Sequence, residues 1–148
     1  MYERVGAEEQ ARREALALRV RGELAAAALP VLPPGLDPVL AGGAEVEADH
    51  GADPSGGVYI GWSAGPRMQL STSRAFRLRL LDDPLLRHSG EIAAAMMRAM
   101  AAILTSAGWT VEEARGEYRS HQLRVISGPA SVAPLWGLRD DEVAMPGW

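Results

Sequence analysis

Residues 89–109 read Ser-Gly-Glu-Ile-Ala-Ala-Ala-Met-Met-Arg-Ala-Met-Ala-Ala-Ile-Leu-Thr-Ser-Ala-Gly-Trp. On a helical wheel Ile92, Met96, Met100, Ile103 and Ala107 form one stripe, with Met97 and Leu104 beside it. Glu91, Arg98 and Thr105 recur every seventh residue as the one polar line, so the helix is expected to be covered on more than one side. Its end is marked too. Gly108 can take the left-handed conformation and Trp109 can fold back on Leu104, the contact of a Schellman stop.

Working outward, Ala7 to Leu29 reads as a first helix with Leu16, Val20, Leu24, Ala27 and Ala28 as its stripe and Pro30 as its stop. Prolines 30, 33, 34 and 38 then force an extended connection to Gly42 and Gly43. Ala44, Val46 and Ala48 alternate with Glu45, Glu47 and Asp49, a strand with one dry and one wet face. A turn-rich stretch, Gly51 to Gly57, leads to a second strand carrying Val58, Ile60 and Trp62. Phe76, Leu78 and Leu80, alternating with Arg77 and Arg79, predict a third strand, whose arginines are expected beside the acidic face of the first. Asp82, Asp83 and Pro84 break it and favour a helical turn at Leu85 to His88. Beyond the Met-Ala helix, Trp109 to Ala114 and a run with Leu123 and Val125 complete the strands.

The order α-β-β-β-α-β-β predicts an α+β fold, an antiparallel sheet of about five strands packed by two main helices. Residues 1–148 are read as a single domain in which 129–148 form a docked irregular tail, frayed near Asp140 to Glu142. This order of elements resembles that of small secretion chaperones, dimers that hold an extended partner chain. The likeness is one of element order alone, with no shared motif.

Composition narrows the chemistry. The chain has no cysteine, which removes thiol catalysis, disulfides and cysteine-ligated metals. All fifteen basic residues are arginine, so no lysine Schiff base or phosphate-loop lysine exists. No apolar run is long enough to span a bilayer and Met1 to Gln10 lacks the order of a secretory signal, so a cytoplasmic protein without membrane contact is expected. Charge is unevenly placed: residues 31–66 carry five acids and no base, while 67–90 carry five arginines and two aspartates. The arginines suit phosphate, but the net charge of −4 and the paucity of nearby aromatic residues point away from nucleic acid.

Gly61-Trp62-Ser63-Ala64-Gly65 matches the Gly-x-Ser-x-Gly elbow, and Asp82 and His121 follow in hydrolase order. The elbow needs a helix after the serine and an oxyanion segment before the strand, and a β-turn at Ala64 to Pro66 is the expected alternative. His50, His88 and His121 show no ligand spacing, so no metal or other cofactor is expected. The methionines and alanines of the long helix are the stronger feature. Its far side, Ala94, Met97 and Ala101, is expected to meet a second subunit or another protein, because small residues permit close approach and thioethers adapt to uneven surfaces. The leading expectation is therefore a non-enzymatic, chaperone-like interaction module, a homodimer. The other classes are a small hydrolase centred on Ser63 and a small-ligand pocket lined by Trp62, Met100 and Trp109.

Overall fold

The computed structural model describes residues 3–37, 40–116 and 119–137. Among them the order is α1 (Ala7–Ala26), β1 (Gly43–Asp49), β2 (Gly57–Ser63), α2 (Pro66–Arg77), α3 (Pro84–Ser106), β3 (Thr110–Glu113) and β4 (Leu123–Ser127). The four strands form one antiparallel sheet in the order β1-β2-β4-β3, so the fold is α+β with three helices. The predicted tip at Gly51 to Gly57 joins β1 to β2, with Asp53 accepting from the Ser55 amide in the turn.

Alternation sets the two faces of the sheet. Ala44, Val46, Val58, Ile60, Leu123 and Val125 point inward and meet Ala17, Val20 and Leu24 of α1 and Met100 and Leu104 of α3. Both long helices therefore lie on one face, with α2 against α3.

The predicted third strand does not exist. Pro66 at the first helical position follows Gly65 as N-cap, its fixed φ suiting a helix start, and α2 runs through the segment that alternates. Met68, Ser71, Thr72 and Ala75 recur at helical spacing as its covered side. Phe76 to Leu80 alternate only because the last helical turn runs into its stop, and a five-residue pattern cannot separate those cases. The expected β-turn at Ala64 to Pro66 and the expected pairing of Arg77 and Arg79 with β1 fall with it, leaving four strands instead of five.

The Met-Ala helix begins earlier than expected. Asp83 caps it, accepting from the Leu85 amide at 2.9 Å, and Pro84 opens a continuous α3 that absorbs the Leu85–His88 turn. The helix is not enclosed all round, since Ala95, Arg98, Ala99 and Ala102 face solvent. Their small side chains leave little apolar area bare.

All three helices end in one motif. Trp109 N–H donates to Leu104 C=O and Gly108 to Thr105, as predicted; Leu29 to Leu24 and Leu80 to Ala75 repeat the six-residue bond in α1 and α2. The left-handed position is Gly108 in α3 but Ala28 (φ 67°) and Arg79 (φ 55°) in the others.

The outer margin of β1 is guarded. Ala44 exchanges bonds with Pro30 and Leu32, Arg21 donates to the Val46 carbonyl at 2.7 Å, Arg13 to Asp49 at 2.6 Å, and Val5 to His50. From Pro129 to Gly137 the chain runs without helix or strand, tied to α1 by Arg19 and Glu23. The stretch Asp140 to Glu142 lies outside the described residues.

The sheet's other face carries a polar row, Glu47, Tyr59, Arg124 and Glu112, each the cross-strand partner of the next. Arg119, from the β3–β4 connection, stacks on Tyr59 and binds Glu47 at 2.8 Å and Asp49 at 2.6 Å. It supplies the basic partner for β1 that Arg77 and Arg79 were expected to supply. Burial alone would lower the pKa of Arg119, but its hydrogen bonds and charge interactions with Glu47 and Asp49 raise it above an already high ordinary value.

Candidate functional site

The surface built by α2 and the turn into α3 combines two features. One is exposed apolar area. Leu70, Phe76, Leu78, Leu80 and Leu81, all within twelve residues, are between 49 and 67 % exposed. The other is free positive charge, because Arg67, Arg74, Arg77 and Arg79 are exposed and no ion pair engages them among the described residues.

The local sequence explains both. With Ala75 buried and Met68, Ser71 and Thr72 half-buried, α2 commits its small and polar residues to α3 and leaves Leu70, Arg74 and Arg77 on the other side. Ordinary helices do the reverse. The stop at Arg79 then turns the chain so that Leu78, Leu80 and Leu81 remain outside the core.

Beside this surface lies a cleft of about 490 Å³ between the end of β2, α2 and the start of α3. Trp62, Met68, Leu85 and Ile92 form its apolar wall, with Arg67 and Ser71 at its edge. The β2–α2 turn that shapes it is held by Gln69, whose side-chain amide donates to the Ala64 carbonyl at 2.6 Å. Gly42 is required next to it, since a Cβ there would approach the Gly65 backbone to 2.9 Å.

The elbow serine stands near this cleft without lining it. Ser63 ends β2 and a helix does follow, but its backbone lacks a positive φ and the sheet is antiparallel. No hydrogen bond joins Ser63 to His121, which sits left-handed (φ 61°) before β4, or to Asp82, exposed before α3. Among the described residues no base is bonded to the hydroxyl. His50 bonds Glu14 at 2.8 Å, and among the described residues no group of three or more acidic or histidine side chains could hold a metal.

Of the interface residues expected from sequence, Met97 and Ala101 pack half-buried against the core and Ala94 is half-buried as well. Trp62, Met100 and Trp109 do not share one pocket. Trp62 lines the α2–α3 cleft, Met100 is fully buried, and Trp109 lines a different cavity beside α1.

The α2 surface was missed because its helix was read as a strand. The available signals were Gly65-Pro66 and the spacing of Met68, Thr72 and Ala75. No known protein family, curated protein or solved structure matches the chain. No helix among the described residues is long and apolar enough to cross a membrane.

Proposed function

We propose that the chain is a non-enzymatic, cytoplasmic protein-binding module that docks an acidic amphipathic segment of a partner on α2 and the α2–α3 turn. One observation carries this reading: five large apolar side chains stand exposed in residues 70–81, beside arginines that no ion pair engages among the described residues. Apolar anchors entering the Trp62–Ile92 cleft would supply affinity, and carboxylates meeting Arg67, Arg74, Arg77 and Arg79 would supply orientation and rate. The acidic residues of β1 and the net charge of −4 weigh against a nucleic acid as the negative partner.

Selection of displayed peptides on the intact chain tests the proposal. Sequences with leucine or phenylalanine at helical spacing and interleaved acids should be enriched, their binding should weaken with salt, and Phe76→Ser with Leu80→Ser should abolish it. Enrichment of basic peptides, or undiminished binding by that double variant, overturns the reading. Binding to phosphatidylserine vesicles in place of peptides assigns the surface to lipid, and a concentration-dependent dimer abolished by the same substitutions assigns it to a second copy; either result also overturns it.

A further inference from the structure

A separate cavity of about 220 Å³ lies between α1 and the segment from Pro129 to Trp136. Leu18, Trp109, Val132, Leu135 and Trp136 give it an apolar wall. Among the described residues, Arg19 and Glu23 are the only charged ones lining it, one turn apart on the same side of α1.

Both charges are held in place. The Arg19 guanidinium lies 4.9 Å from the Trp109 ring centroid and donates from Nη2 to the carbonyls of Pro129 and Ser131, each at 3.1 Å. Glu23 accepts from the Trp136 indole N–H through Oε2 at 3.2 Å. Among the described residues no ion pair joins Arg19 to Glu23, and no bond uses Nε and Nη1 of the one or Oε1 of the other. The cavity thus offers a fixed donor, a fixed acceptor and an apolar remainder. Its volume is below the range of about 300 to 1,000 Å³ common for drug-sized ligands, which limits the occupant to one small molecule.

We infer that this cavity binds a free α-amino acid with an apolar side chain. The carboxylate takes the unused Arg19 donors, the ammonium takes Glu23 Oε1, and the side chain lies among Leu18, Trp109 and Trp136. A carboxylate and an ammonium carried on one carbon suit side chains whose Cβ atoms stand about 5–6 Å apart on a helix. Gly22 keeps the space open. A Cβ there would meet Trp136 Cζ2 at 3.6 Å, an ordinary contact, so a longer side chain fills the cavity without strain at its root.

Calorimetric titration of the full chain with L-phenylalanine and L-leucine tests the inference, with 3-phenylpropionate and phenethylamine as probes that each lack one charge. Saturable binding of at least one amino acid is expected, weakened at least about tenfold by Arg19→Gln and by Glu23→Gln. Gly22→Leu should abolish it while leaving a cooperative melt, since leucine favours a helix more than glycine. No saturable heat with either amino acid overturns the inference, as does binding of either singly charged probe as tightly as L-phenylalanine or unchanged binding by Gly22→Leu. Should Gly22→Leu fail to melt cooperatively, the two charge variants decide alone.

Discussion

The Arg119 guanidinium carbon lies 3.9 Å from the ring centroid of Tyr59, and its two terminal nitrogens bind Glu47 and Asp49. One loop arginine therefore covers the middle of a sheet face that no helix among the described residues covers. Tyr59 is only 4 % exposed as a result, with its hydroxyl donating to the Ser55 carbonyl at 2.6 Å.

Arg119→Ala should cost about 1.5–3 kcal/mol in urea denaturation, because it uncovers Tyr59 and removes the guanidinium that Glu47 and Asp49 share. Arg119→Lys should recover less than half, since an ammonium cannot bridge both carboxylates while stacking on the ring.

Ala28→Gly and Arg79→Gly should each stabilise the protein by about 0.5–1 kcal/mol, because glycine takes the left-handed conformation without the Cβ penalty. The two sites close different helices, so the gains should add in the double variant. Chemical denaturation of the three variants checks both claims.

Gly56→Ala should cost more than about 2 kcal/mol. A Cβ at this position would overlap the Gly51 carbonyl oxygen and crowd the Arg13 guanidinium, both of which are fixed where the hairpin tip meets α1. A lowered melting temperature for this variant beside a raised one for Gly90→Ala, a helical position where nothing lies within 4 Å, would separate the clash from a general effect of alanine.

Met100→Ala should cost about 2–5 kcal/mol and Ala102→Ser less than about 0.5 kcal/mol, because Met100 is fully buried and Ala102 is on the exposed flank of α3. The contrast, read from paired denaturation curves, measures how one-sided the helix is.

Ser63→Ala should leave labelling by a fluorophosphonate probe where it was, at background. Among the described residues no base is bonded to the hydroxyl, and its backbone lacks the strain that projects an elbow nucleophile.

Local signals told the truth where they were redundant. The stop of α3 was marked by a glycine and a following tryptophan, and β1 by six residues that alternate from Ala44 to Asp49, so several residues agreed on each. The same stop in α1 and α2 uses alanine and arginine, which carry no mark of a left-handed position. Phe76 to Leu80 misled because the helix end and its turn imitate a strand over five residues. The counter-charge of β1 was illegible for a different reason: Arg119 lies 70 residues from Asp49 in sequence, and only the long β3–β4 connection brings them together. The apolar α2 surface was hidden by the same misreading, since a residue's exposure follows from the period of its element.

Arg13, Arg21 and the proline segment bond along the outer side of β1, whereas among the described residues no backbone bond guards the opposite rim, β3. That rim is four residues long, interrupted by an irregular register and occupied by two glutamates. A strand added to so short and charged a rim gains few ladder bonds, and the guarded margin of β1 offers few more, so edge-to-edge stacking of folded copies is disfavoured at both ends of the sheet.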